Sequence, residues 1–219
     1  SVCATVPPGL ISWWAGDGNG LDLMGSNHAL LENGATFAPG LVSSAFDLDG
    51  VDDFVRVPDA ASLAPSTLTV DAWIYPRALP SGDIMAIVNK GDYSYRLQIE
   101  GRPSFPAGVT WALYCGGWVD VFSGIQPPLN TWTYVAGTYD GAVARVYLNG
   151  SLANSIAVNC LATSTQDLAI GENVDYPARP NFNGLIDEVH LYGRALSDSE
   201  LLAVFRAGSS GVCKCLDRD

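Results

Sequence analysis

Two turns constrain this chain more than any other feature. Asp140-Gly141 and Asn149-Gly150 separate three runs of alternating apolar residues, 131–139, 143–148 and 152–158. An Asx-Gly pair supplies the positive φ that a tight hairpin needs. Hairpins join antiparallel neighbours, whereas parallel strands need long crossovers. The segment is therefore an antiparallel meander. The same reading gives short strands at 9–14, 28–31, 35–37, 44–48, 53–57, 67–75, 84–88, 95–99, 109–114, 119–122, 167–170 and 183–192. Glycine, proline and Asx turns part them at close spacing, with no linker and no solenoid repeat. An all-β, two-sheet antiparallel sandwich is predicted. One short C-terminal helix is predicted over 197–207, with Ser197 and Glu200 as a capping box, an apolar stripe of Leu201, Leu202 and Phe205, and Gly208 as its stop. One domain spans 9–208, between a tail of 1–8 and a cysteine-containing tail of 209–219.

Composition decides which partners suit such a sandwich. Hydrophobic residues are 48% and charged residues 16%, enough for a sizeable core and too apolar for disorder. The net charge of −12, with 11 Lys and Arg, repels nucleic acid and anionic membranes. No apolar run is long enough to span a bilayer. The five cysteines, Cys3, Cys115, Cys160, Cys213 and Cys215, lack zinc spacing. They read as disulfides of a secreted protein, or of a domain excised from one, which a start at Ser1 rather than Met also suits. Cys3 would bridge Cys213 or Cys215, Cys115 would bridge Cys160, and one cysteine would be left over.

The last strand carries an anomaly. Strict alternation puts Leu185, Asp187, Val189 and Leu191 on one face and Ile186, Glu188, His190 and Tyr192 on the other. Asp187 then sits in an apolar row, where a bare carboxylate is too costly. It must be hydrogen-bonded, paired or metal-bound.

Several stretches in order resemble one family. They are Gly9-Leu-Ile-Ser-Trp-Trp14, the glycine-rich acidic loop after it, Phe46 to Pro58, Leu68 to Ile74, Trp132 to Gly141, and Gly184-Leu-Ile-Asp-Glu-Val-His-Leu-Tyr192 with Gly193-Arg-Ala-Leu-Ser197. Across 9–207 the chain resembles the laminin-G-like domains of the concanavalin A-like lectin/glucanase superfamily. The resemblance implies a jelly roll of two large sheets, and a non-catalytic module that binds glycans or extracellular proteins, often with structural calcium.

By that resemblance Asp22 and Asp187 match calcium ligands, and Asp17 and Asn27 join them in the loop that the first strand feeds. The alternative is that Asp22 and Asn27 organise turns and that Asp187 accepts backbone hydrogen bonds. Asp49, Asp52 and Asp53 read as a capped turn rather than a metal site. Glucanase chemistry needs two carboxyls about 5 Å apart on one substrate. Asp187 and Glu188, adjacent and so on opposite faces, do not supply them, and no other catalytic motif is present. For glycan binding, the rings outside the obvious strand cores are Tyr93, Tyr95, Trp111, Tyr114, Trp118 and Tyr176, equally compatible with partly buried packing. The odd cysteine and long sheet edges also suit a subunit of an extracellular filament or surface assembly.

Overall fold

The computed structural model describes residues 3–173 and 179–214. Tyr176 and Cys215 lie outside them. The strands are β1 (Leu10–Trp14), β2 (Leu30–Glu32), β3 (Thr36–Pro39), β4 (Ser44–Asp49), β5 (Phe54–Val57), β6 (Leu68–Pro76), β7 (Ile84–Asn89), β8 (Tyr95–Glu100), β9 (Gly108–Tyr114), β10 (Trp118–Phe122), β11 (Thr133–Tyr139), β12 (Val143–Leu148), β13 (Ser151–Ala157), β14 (Leu168–Ile170) and β15 (Asn183–Tyr192). The helix α1 is Asp198–Ala207. An eight-stranded sheet runs β13-β12-β11-β6-β15-β4-β3, with β1 also on β15, and a seven-stranded sheet runs β10-β9-β8-β7-β14-β5-β2. Every strand pairing is antiparallel. This is the expected jelly-roll sandwich with one short helix.

The main core lies between the sheets. Leu68, Val70, Ala72 and Ile74 of β6 face Leu97 and Ile99 of β8 and Val109, Trp111 and Leu113 of β9 in one cluster. The alternation of β6 read from the sequence therefore points as expected. Asn149, at φ 49, and Gly150, at φ 73, form the β12–β13 turn. Asp140 caps the preceding turn by accepting from the Ala142 and Val143 amides.

A second apolar cluster covers the outer face of the eight-stranded sheet. Trp13, Trp73, Tyr134 and Tyr192 pack there under Leu196, then Leu201 and Val204 of α1, and Val212. The capping box of α1 forms as predicted: Ser197 Oγ accepts from the Glu200 amide, and Glu200 accepts from the Ser197 amide. Such a cap contributes about 1 kcal/mol. The first and last described segments join this face. Ala4 bridges Val212, and Cys3 is bonded to Cys213, while Cys115 is bonded to Cys160.

Strict alternation fails in β15, and the reason is local. β4 pairs with 183–186 of β15 and β1 with 189–192 of it, so the neighbour changes between them. At that change Asp187 faces Trp73 while His190 faces Asp71, three residues against two, and Glu188 adopts φ 50. The extra residue is a β-bulge. With Ile186 already in the core, it returns Val189 and Leu191 there and leaves Asp187, Glu188, His190 and Tyr192 together outside it. The opposite-face assignment of Asp187 and Glu188 is thereby corrected.

Candidate functional site

Two polar regions stand out, one on the outer face of each sheet. On the seven-stranded sheet the alternation of β8 sends Tyr95, Leu97 and Ile99 inward and Arg96, Gln98 and Glu100 outward. Register places Asn89, Arg96, Ala112 and Asp120 in one row across β7 to β10, and Ala86, Gln98, Thr110 and Phe122 in the next. At the β9–β10 end the rings of Tyr93, Tyr114 and Trp118 meet edge to face, with centroids 5.0 and 5.5 Å apart. The Arg96 guanidinium lies 4.2 Å over Trp118. Tyr93 is 53% exposed. The Cys115–Cys160 bridge pins the turn between Tyr114 and Trp118.

The polar atoms of this face are under-satisfied. Gln98 Nε2 and Oε1, Arg96 Nε and Nη1, and Asp120 Oδ1 are buried without hydrogen-bond partners among the described residues. Arg96 comes no closer to Asp92 than 3.6 Å. Burial, with the charge of Arg179 beside it, pulls the Arg96 pKa down to about 10. Each such orphan costs about 1–3 kcal/mol, and Arg96 and Gln98 are themselves almost wholly buried.

The expected ring set divides here. Tyr93, Tyr114 and Trp118 reach this face. Tyr95 and Trp111 do not, which is a correction: both are fully buried between the sheets, and the Tyr95 hydroxyl donates to the Leu63 carbonyl. Arg96, Gln98 and Asn89 were missed, although the alternation of 95–100 carries the signal for two of them.

The second region is the bulge of β15. Asp187 Oδ2 accepts from the Leu41 and Val42 amides, both at 2.9 Å, while Oδ1 is buried with no partner among the described residues. Glu188 Oε2 accepts from Trp13 Nε1 at 2.9 Å, and Glu188 Oε1 lies 2.9 Å from Lys214 Nζ. Lys214 also pairs with Asp17, whose Oδ1 accepts from the Ser44 amide. His190 Nδ1 is 2.8 Å from Asp71, and its Nε2 is 3.9 Å from Glu188. Burial pushes the Asp187 carboxyl up to about 7, despite the two amides, and Glu188 and Asp17 add to the rise. Burial opposes the charged form of His190, yet Asp71 and Glu188 together hold its pKa above the ordinary value. The crevice beside Glu188 and His190, closed by Val204, Gly211 and Val212, has no room for a water.

The expected calcium ligands do not converge. Asp22 is spent on the amides of Trp13, Met24 and Asn27. Asn27 Nδ2 donates to Ser12 and Ser62. These two organise the loop after β1, whereas Asp17 and Asp187 belong to the bulge, where Lys214 already supplies a cation. The four residues therefore do not fit one hard-cation site. Asp49, Asp52 and Asp53 bring carboxylate oxygens within 4.8 Å of one another. Asp53 Oδ2 accepts from the Asp49 amide and Asp49 Oδ1 from the Val51 amide, as in a capped turn.

An antiparallel jelly roll with one polar, ring-edged face defines a class of β-sandwich modules, and comparison places the chain within it. The chain belongs to the laminin-G-like family of the Concanavalin A-like lectin/glucanases superfamily, whose family model matches residues 49–202. No curated protein sequence matches it. Its fold is similar to domain 4 of AbnA, a GH43 extracellular arabinanase from Geobacillus stearothermophilus solved with arabinotriose, at 21% identity and TM-score 0.73 over 88% of this chain and 96% of that one. It is also similar to the binding domain of Paraclostridial Mosquitocidal Protein 1, at 16% identity and TM-score 0.72 over 91% of this chain and 52% of that one. The binding domain of Botulinum Neurotoxin DC in complex with SialylT follows, at 14% identity and TM-score 0.68 over 91% and 52%. The chain thus spans about half the length of these toxin domains.

Proposed function

We propose that this domain is a non-catalytic carbohydrate-binding module that acts outside the cell, with its ligand on the outer face of the seven-stranded sheet. The observation that carries this reading is the under-satisfied pair of neighbouring rows, Arg96 and Asp120 in one and Gln98 in the next, beside the rings of Tyr93, Tyr114 and Trp118. Sugar hydroxyls both donate and accept, so they suit a face whose orphans are of both kinds. Rings at its edge suit the apolar face of a pyranose or furanose. The glycan-bound relatives support the class of ligand. The two disulfides support an oxidising compartment. Against catalysis, Asp187 and Glu188 are buried, tied to amides and to Lys214, and closed off by the end of the chain.

A glycan array followed by titration calorimetry with arabinotriose and sialyllactose tests the site. Binding is expected in the micromolar to millimolar range, weakened at least about tenfold by Trp118→Ala, which is about 1.4 kcal/mol. Retention of no glycan, or equal binding by the variant, removes the reading.

One observation favours a second role. β13 is an edge strand with most of its side chains exposed, Leu152 and Ile156 among them. Such an edge suits pairing with a second copy in an extracellular assembly. Native mass spectrometry decides it, since a monomer at micromolar concentration excludes the pairing.

A further inference from the structure

Aromatic rings cluster at both ends of β10, on the outer face of the seven-stranded sheet. We propose that this face takes a linear glycan of at least three sugars laid along β10, with Phe105 and Phe122 as a second sugar platform beyond that of Tyr93, Tyr114 and Trp118. The inference rests on the carbohydrate-binding reading and gives its ligand a shape and a minimum length.

Alternation along β10 sets the spacing. Val121 packs in the core between the sheets, so Trp118, Asp120 and Phe122 share the outer face. Their partners on β9 agree: they pair with Tyr114, Ala112 and Thr110, while Trp111 and Leu113 point inward. The Phe122 ring stacks on Phe105, with centroids 5.5 Å apart and planes at 25°. The Arg102 guanidinium lies 4.2 Å over the Phe105 ring, as Arg96 does over Trp118. Arg102 is itself fixed by Glu100, at 2.9 and 2.7 Å, and stands 3.7 Å from Asp120. Each end of the strand thus repeats one device, clustered rings held by an arginine. One ring of each cluster is well exposed, Tyr93 at 53% and Phe105 at 40%. Rings held in place beforehand lose little freedom when a ligand stacks on them. The strand rises about 14 Å from Trp118 to Phe122. A sugar ring is about as wide as the gap between neighbouring strands, roughly 4.8 Å. A monosaccharide or disaccharide therefore touches one platform, whereas the first and third or fourth sugars of a linear chain touch both. Asp120 lies between the platforms with Arg102 beside it, an acceptor and a donor for the hydroxyls of the sugars in the middle.

The test is calorimetric titration of the full chain with linear arabino-, xylo- and cello-oligosaccharides, from the monosaccharide to the hexasaccharide. In a series that binds, affinity should rise at least about tenfold from disaccharide to tetrasaccharide and then level off. Phe105→Ala should remove that rise, and Phe105→Trp, which keeps a flat ring, should retain it. Phe105 is exposed, so the variants should melt like the parent. Phe105→Leu, which keeps apolar packing on Phe122 without a ring, is the second variant and should lose the rise as well. Equal affinity for disaccharide and tetrasaccharide overturns the proposal, as does length dependence that survives Phe105→Ala and Phe105→Leu. Binding confined to branched glycans overturns it too. In each of these cases a loss of affinity in Trp118→Ala would still uphold the binding module. Retention of no glycan at millimolar concentration removes both.

Discussion

The two outer faces of the sandwich are bordered in different ways. On the eight-stranded sheet each of these carboxylates has at least one oxygen engaged: Asp187 holds two loop amides, Glu188 an indole and an ammonium, and Asp71 an imidazole, while Asp187 Oδ1, Asp71 Oδ2, His190 Nε2 and the Tyr134 and Tyr192 hydroxyls are buried without hydrogen bonds among the described residues. Helix α1 and the disulfide-tied ends then close that face. On the seven-stranded sheet Gln98 and two nitrogens of Arg96 are buried with nothing to bond among the described residues, and three rings meet at the margin. Both faces thus keep orphaned polar atoms, and what separates them is the margin: apolar residues of α1 and Val212 cover one, and three rings edge the other.

Substitutions can break that contrast. The largest effect should come from Cys3→Ala with Cys213→Ala, because the bridge closes 210 residues of chain. A loss of about 5 kcal/mol is expected from the unfolded state alone, measurable by chemical denaturation; a loss below about 1 kcal/mol would mean that the closed face does not depend on it. Next is Asp187→Ala, which strands the Leu41 and Val42 amides. It should cost about 3 kcal/mol, while Asp187→Asn, which keeps an acceptor, should cost much less. Equal losses in the two would show that charge, not hydrogen bonding, is what the site needs.

The third effect is on pH dependence. Asp187 titrates near 7 in the folded chain, against about 3.9 unfolded. The native state thus binds this proton more tightly than the unfolded state does. Its contribution is complete below pH 4 and is lost as pH rises through 7. Melting temperature should fall by several degrees between pH 5 and 7.5, and the fall should flatten in Asp187→Asn. The same slope in both proteins would refute the assignment. The smallest effect belongs to the outer face of the seven-stranded sheet. Gln98→Leu removes an unsatisfied amide and should leave stability unchanged or raise it by up to about 1 kcal/mol. It should nonetheless weaken glycan binding, and a marked loss of stability would show that Gln98 is structural.

The sequence was most informative where one period or one turn governs. The Asx-Gly turns, the alternation of β6 and the Ser197–Glu200 box all appear as read. It misled at β15 because a bulge has no period. One inserted residue moved Val189 and Leu191 away from the face of Asp187, and only the change of neighbour from β4 to β1 explains it. The rings were half legible for a related reason. Tyr93, Tyr114 and Trp118 flank turns and reach the surface, but Tyr95 and Trp111 occupy inward positions of β8 and β9 that the polar residues around them obscured. Lys214 could not be found by pattern at all. Its partners are Asp17 and Glu188, which only folding brings to it.

The Cys3–Cys213 bond also has a mechanical meaning. The Cα atoms of the two cysteines are 4.9 Å apart and join positions 210 residues distant. Tension applied to the chain on either side of the pair passes through one covalent link and leaves every strand between them unloaded. The sandwich then hangs from that link as a closed loop, and its sheets can be pulled apart only after the bond is reduced.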